Sequence, residues 1–285
     1  MKTVAIAGVS GFVGTHFKNH FIKKGFSVSS IGIETYKNES KLLSILEDAD
    51  IVINLSGANI IHRWSDSYKK ILRSSRIDTT KMLVDTMAKA TKKPKLFIST
   101  SAIGVYQKDN IHDEYNFTYG DDFLAKLALD WEYEALNAEA IGVRTAIFRF
   151  GVVLGKDGGA LAKMLPPFKF GLGGTIGDGN TPFSFIHIDD LVKAYDFMIE
   201  HKELNGAFNL VSPTPTTNKS LTKALGNSLH RPTLFPVPKF VFKILYGEGS
   251  TVLLDGASIK PKRLLESGFE FAYPTIENAI NDLVG

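Results

Sequence analysis

The feature that most constrains the fold lies in the first fourteen residues. Val4-Ala5-Ile6-Ala7-Gly8-Val9-Ser10-Gly11-Phe12-Val13-Gly14 is a short apolar run that ends in glycines spaced Gly-x-x-Gly-x-x-Gly. Val4 to Ala7 have the continuous apolarity of a buried strand. Phe12, Val13, Phe17, Phe21 and Ile22 recur at roughly helical spacing, so the glycines fall at a strand-to-helix corner. There Gly8 can take backbone angles that a β-carbon forbids, Gly11 leaves room for a diphosphate to approach the main chain, and Gly14 lets the helix pack close to the strand. Free amides at the helix start then face the anion. A tight turn without a ligand is the plainer reading, but the placement between strand and helix favours a dinucleotide-binding turn.

Composition narrows the class. With 285 residues and 44% hydrophobic content, the chain can bury a substantial core in one large or two unequal domains. The formal charge of +3 is mild and the lysines are scattered, so no polybasic tract points to nucleic acid or a membrane surface. No cysteine is present, which excludes disulfides, a thiol nucleophile and cysteine-ligated metal. Of the seven histidines only His16 and His20 stand at His-x-x-x-His spacing, without the glutamate of a His-Glu-x-x-His metal motif, and there is no Gly-x-Ser-x-Gly elbow. The expected metal content is none. The glycine corner at the terminus leaves no signal pattern, and no apolar run reaches about 18 residues, so a cytoplasmic location is expected.

Strand-like runs at Val4 to Ala7, Ser27 to Ile33, Ile51 to Leu55, Leu96 to Thr100 and Val143 to Phe148 alternate with helix-like ones. This alternation predicts an α/β fold, a Rossmann-type doubly wound parallel sheet. Asp66 to Ala90 reads as one long or two consecutive helices, and Asp122 to Ile141 as another. From Gly151 the texture changes: residues 151–182 hold nine glycines and three prolines and read as an irregular lobe. Asn209 to Val211 reads as a late strand returning to the sheet, and prolines punctuate short helices beyond Pro213. The expected organisation is a dinucleotide-binding domain over 1–154, completed by about 183–211. A smaller substrate-side lobe over 155–182 and 212–285 caps the carboxyl edge of the sheet, where open α/β folds bind ligands.

Several further runs carry a resemblance. The Gly8/Gly11/Gly14 corner, Asn54-Leu55-Ser56-Gly57, Ser99-Thr100-Ser101 and Phe185 to Leu191 are similar to an extended short-chain dehydrogenase/reductase, while Ile53 to Ile60, Gly151 to Gly155 with Gly158-Gly159-Ala160, Met164 to Phe168 and Gly171 to Gly174 carry a narrower resemblance. More narrowly, the chain resembles an atypical branch of NAD(P)-dependent nucleotide-sugar epimerases with a short C-terminal domain, matched by Pro261 to Leu265 and Gly268-Phe269. The resemblance implies that Gly8, Ser10, Gly11, Phe12, Val13 and Gly14 wrap the cofactor's diphosphate. It also implies that Leu55 and Ser56 border the adenosine, that Arg76 of the Ser75-Arg76 pair approaches the cofactor, and that Val153 lies near the nicotinamide. Arg76 also reads as an ordinary solvated helix arginine. Either NAD or NADP fits. The branch commonly carries arginine where Ile33 stands, and Glu34 can face a ribose hydroxyl, which tilts the reading toward NAD, although Lys37 can meet a phosphate.

Short-chain dehydrogenases move a proton with a Tyr-x-x-x-Lys pair, and a Ser or Thr holds the substrate oxygen. Ser101 fits the hydroxyl position and Lys126 the lysine position, but Asp122 falls where the tyrosine belongs. An aspartate with a pKa of about 3.9 has no proton to give at neutral pH. Tyr106 is the preferred replacement, with Tyr119 and His187 behind it, and each also reads as a structural residue. Two functions are therefore expected to compete. One is an NAD(P)-dependent epimerase or oxidoreductase on a sugar nucleotide or small carbonyl compound. The other is a non-catalytic dinucleotide-binding sensor. A small-molecule substrate is the expected partner, and the sequence leaves the oligomeric state open.

Overall fold

In the computed structural model, which describes residues 2–108 and 110–285, the apolar runs form six parallel strands. These are β1 (Thr3–Ala7), β2 (Ser27–Ile31), β3 (Ile51–Asn54), β4 (Leu96–Ala102), β6 (Arg144–Phe150) and β9 (Gly206–Leu210), in the order β2-β1-β3-β4-β6-β9. Outside that sheet, β5 (Ile111–His112) pairs with β10 (Ser258–Ile259), and β7 (Val152–Gly155) with β8 (Phe185–His187). The helices between the sheet strands are α1 (Phe12–Lys23), α2 (Ile33–Tyr36), α3 (Glu39–Asp48), α4 (Asp66–Arg73), α5 (Thr79–Lys89), α6 (Phe123–Ala140), α7 (Gly159–Lys169) and α8 (Ile188–Glu200). After β9 come α9 (Asn218–Leu229), α10 (Lys239–Tyr246), α11 (Thr251–Leu254), α12 (Lys262–Glu266) and α13 (Ile276–Val284).

Alternation along each strand sends successive side chains to opposite faces, and both faces are apolar. Val4, Ile6, Ile53, Ile98 and Phe148 pack with Phe17 and Phe21 of α1 and Leu191 and Tyr195 of α8. Ala5, Ala7, Val52, Phe97 and Ile147 pack with Leu42 and Leu46 of α3, Leu83 and Met87 of α5, and Ala135 of α6. The sheet is therefore doubly wound, and strand order reverses between β1 and β3. Such a reversal opens a crevice at the carboxyl ends of the strands.

Asp66 to Lys89 is one continuous rod, broken in hydrogen-bond pattern by a π turn over Ser74–Asp78. The stretch expected to be irregular after Gly151 contains a regular helix, α7, with Pro166 and Pro167 inside it. Leu161 and Phe168 of α7 pack with Leu221 and Leu225 of α9, Ile276 and Ile280 of α13, and Phe185 of β8. That burial outweighs the backbone bonds that the two prolines cannot make. Among the described residues no helix is long and apolar enough to cross a membrane.

Candidate functional site

β1 ends at Ala7, and the chain turns at Gly8 with φ +78, a region that L side chains rarely adopt. A β-carbon on Gly8 would lie 2.7 Å from the Leu55 carbonyl oxygen, so the exits of β1 and β3 run side by side at the switch point. A β-carbon on Gly14 would lie 2.4 Å from the Gly8 oxygen and 2.7 Å from Val9 Cα, so α1 presses directly on the turn. Gly11 differs: the nearest atom to a β-carbon there is 3.4 Å away, and its main chain borders open space. Gly11 is also the N-cap of α1 and offers no capping side chain. The first-turn amides of Phe12 and Val13 have no intrahelical acceptors, so they meet an anion unopposed. This corner fits a diphosphate.

Of the other residues expected on the cofactor side, Leu55 and Ser56 lie directly against Gly8. The Leu55 amide donates to the Ala7 carbonyl at 3.0 Å, and the Ser56 hydroxyl lies 3.1 Å from Tyr36 Oη. Burial pushes the Tyr36 pKa up to about 12, so its hydroxyl stays protonated. Asn54, at the end of β3, donates to Thr80 and Ser99 and accepts from the Ser56 amide, which fixes the exit of β3. Arg76 lies in the π turn, a feature frequent at functional sites. Its guanidinium stacks against Gly57 and donates to the Ala58 and Leu72 carbonyls and the Ser75 hydroxyl, all neutral acceptors. Burial lowers its pKa to about 10, as expected for a desolvated cation that lacks a carboxylate. Val153 sits in β7, paired with Ile186 of β8. At the end of β2, Ile33 is exposed, and Glu34 is paired with Lys37 at 2.7 Å.

Phe12 has a second task. β-Carbons on Gly155, Gly158 or Gly159 would meet its ring at 2.4, 2.5 and 3.1 Å. Gly155, the last residue of β7, and Gly158 and Gly159 just beyond it, which read as part of an irregular lobe, are the socket for this ring.

The three residues expected to handle the proton have the following surroundings. Ser101, 1% exposed, donates to Glu132 Oε1 at 2.6 Å. Glu132 accepts two bonds from Arg149, at 2.8 and 2.7 Å, a forked ion pair buried between α6 and β6. Tyr106 is buried; its hydroxyl donates to Asn209 at 2.7 Å and accepts from Arg149 at 2.8 Å, and burial raises its pKa to about 12. Lys126 is exposed, because α6 turns Ala125, Ala128, Trp131, Glu132 and Ala135 inward and leaves position 126 on the solvent side. Leu124 packs against Gly104 just beyond β4, where a β-carbon would lie 3.6 Å from its Cβ. Asp122 caps α6 by accepting from the Ala125 amide at 2.9 Å, and its other oxygen pairs with Lys108 at 2.9 Å.

The weaker candidates have structural partners too. Tyr119 Oη lies 3.5 Å from Arg149 Nη2. His187 caps α8 through Nδ1, stacks on Tyr273 at 3.7 Å, and turns Nε2 toward Asp282 at 3.3 Å. Desolvation lowers its pKa. Glu132, Arg149 and Asn209 are the polar residues that the sequence reading overlooked. Their signal was an arginine inside the apolar run Ile147-Phe148-Arg149-Phe150, which can be buried only with an acidic partner.

A parallel sheet with this corner at its switch point defines a Rossmann-type dinucleotide-binding protein. The chain belongs to the NAD dependent epimerase/dehydratase family, whose model matches residues 4–210, and a domain of unknown function, DUF1731, matches residues 237–283. It is 36% identical over 302 residues to the chloroplastic Epimerase family protein SDR39U1 homolog of Arabidopsis thaliana, covering 99% of this chain and 86% of that one. It is 33% identical to the Bacillus subtilis Epimerase family protein YfhF, covering 99% and 97%. Among solved structures, human epimerase family protein SDR39U1 (isoform 2) with NADPH superposes with a TM-score of 0.89, 30% identity and 99% coverage of both chains. The Thermotoga maritima UDP-glucose 4-epimerase with UDP-glucose shares the fold at a TM-score of 0.79 and 19% identity, covering 99% and 97%. The chain is thus an NAD(P)-binding, epimerase-like protein of the extended short-chain dehydrogenase/reductase type.

Proposed function

We propose that this protein binds NAD(P) at the Gly8–Gly14 corner and acts on a small carbonyl compound or a sugar nucleotide held between the strand ends and the lobe of residues 155–182. The observation that carries the reading is the corner itself, where two glycines are packed tightly against backbone and the third leaves its main chain open to an anion. In this reading the amides of Phe12 and Val13 hold the diphosphate and Arg76 adds an unpaired positive charge. Leu55 and Ser56 border the adenosine, and Val153 borders the nicotinamide. A dinucleotide held there would supply hydride-transfer chemistry beside Val153. The exposed Glu34–Lys37 pair and Ile33 give the 2′ position of the ribose no free arginine, which favours NAD over NADP.

The proton is handled without a Tyr–Lys pair on α6, since the inward face of that helix carries alanines, Trp131 and Glu132, and Lys126 points away. Ser101 and Tyr106 take part in the chemistry only if their bonds to Glu132, Asn209 and Arg149 open. This same arrangement supports a second reading, a dinucleotide-binding sensor without turnover. The experiment is a fluorescence titration with NADH and NADPH. It is followed by nicotinamide absorbance and product analysis with sugar nucleotides and ketones. Failure to bind either dinucleotide refutes both readings, and binding with no product from any substrate selects the sensor.

A further inference from the structure

The cations that lie scattered along the sequence are unevenly shared in the fold. Residues 155–182 and 212–247 carry eight lysines and arginines against two acidic residues, Asp157 and Asp178. This lobe therefore stands at +6 in a chain whose total is +3, which leaves the rest of the chain at −3. Elsewhere exposed lysines meet carboxylates, as Lys37 meets Glu34, Lys81 meets Asp85 and Lys89 meets Glu39. Among the described residues, none of the eight cations of the lobe lies within 4.0 Å of a carboxylate oxygen. Asp178 itself is taken up by Asn180, at 3.0 and 3.1 Å.

Exposed apolar side chains stand among these cations. Phe170, Leu234 and Ile244 are 80%, 75% and 66% exposed, and Leu172, Phe235, Phe240 and Leu245 are exposed too. The Val237 amide donates to the Thr175 carbonyl at 2.7 Å, the Gly177 amide donates to the Val237 carbonyl at 3.0 Å, and a β-carbon on Gly171 would lie 3.9 Å from Pro232. Residues 169–172, with Lys169, therefore run beside residues 231–235, with Arg231. α10 continues the second segment and has no buried residue. Lys239 and Lys243 form one exposed stripe of it, and Phe240 and Ile244 form the adjoining one, since residues three and four apart are neighbours on a helix. The helix is fixed in this attitude, because Arg63 donates to the Ile244 carbonyl at 3.0 Å and Glu248 pairs with Lys69 at 2.6 Å.

We propose that this lobe docks on an anionic phospholipid surface, with α10 lying in the plane of the headgroups. The unpaired cations complement the headgroup charge, and the apolar tips between them enter the acyl boundary, the division of labour of an interfacial helix. Its eight residues span only about 12 Å, so α10 lies on a bilayer and does not cross it. A nucleic acid would use the cations and the phenyl rings but would leave Leu172, Leu234, Ile244 and Leu245 in water. The proposal is independent of the reaction assigned to the dinucleotide site.

The test floats the full chain with vesicles of phosphatidylcholine, alone or with about one-third phosphatidylglycerol, and runs a gel shift with poly(U) beside it. The protein floats with the anionic vesicles only, and salt at about 0.5 M releases it, since the screening length falls to about 4 Å. Lys239→Gln with Lys243→Gln weakens vesicle binding by about tenfold or more, from about fivefold per cation. Lys81→Gln with Lys89→Gln removes the same charge from α5, outside the lobe, and changes binding by no more than about twofold. Phe240→Gln with Ile244→Gln, both at exposed positions, also weakens it by about tenfold or more and leaves the urea midpoint at the parent's. No binding to the anionic vesicles, equal binding to the neutral ones, equal loss from the α5 pair, or capture of poly(U) without vesicle binding overturns the proposal.

Discussion

Gly11→Ala and Gly14→Ala add the same methyl group three residues apart and should fail in opposite ways. At Gly14 the new carbon would lie 2.4, 2.7 and 2.9 Å from backbone atoms of Gly8 and Val9, none of which can rotate aside. Relief requires α1 to lift from the turn, an overpacking cost of about 1–3 kcal/mol. At Gly11 the nearest atom is 3.4 Å away and φ is −73, so the folded protein accepts the methyl with a change of about 1 kcal/mol or less. The methyl does, however, fill the approach to the main chain. Displacing a diphosphate by its thickness forfeits about two charge-assisted hydrogen bonds of at least ~1.5 kcal/mol each, or about a hundredfold in affinity. Urea denaturation reads the first effect, and NADH and NADPH fluorescence titration reads the second. A Gly11→Ala protein that binds dinucleotide within threefold of the parent would refute the assignment of this corner.

Arg76→Met should weaken dinucleotide binding about tenfold and flatten its salt dependence, with little loss of urea stability, because no carboxylate is orphaned. Glu132→Ala should destabilise the protein by about 3–5 kcal/mol in urea, since it strands the buried Arg149 charge, whereas Glu132→Ala and Arg149→Met together should cost less than the sum of the two. Alkaline titration checks Tyr106. Its folded pKa of about 12 lies above the ordinary value of about 10, so its contribution to stability is intact below pH 10 and is lost as pH rises toward 12. Tyrosinate absorbance should lag accordingly, and Tyr106→Phe should remove that part of the alkaline loss. Lys126→Ala should leave dinucleotide binding and any turnover within twofold of the parent, as measured by steady-state kinetics.

The sheet was readable because its strands are buried on both faces: continuous apolar runs such as Ile51 to Ile53 admit few other settings. Gly8 and Gly14 were readable for a related reason, since backbone crowding excludes every larger residue. α7 was hidden by Pro166-Pro167, whose local preference is overridden by contacts with α9 and α13 that lie far along the chain. Lys126 misled because spacing along a helix carries no phase: its orientation is set by the neighbours that bury Ala125, Ala128 and Trp131. Ser101 lies on the β4 strand as expected, yet Glu132, thirty-one residues away, decides where its hydroxyl turns. α10 reads as a helix from its sequence, but its tether to Arg63, 181 residues away from Ile244, emerges only from the structure.

The phenyl group of Phe12 makes the cofactor corner and the neighbouring lobe one mechanical unit. Its plane is gripped by three residues that own no side chains, so any shift of the first turn of α1 on ligand arrival is handed straight to the segment leading into α7. Relatives that exchange Phe12 for a smaller residue are then free to fill positions 155, 158 or 159, and those that keep the ring are not. Covariation among these four sites would therefore track steric matching, with the ligand itself playing no part.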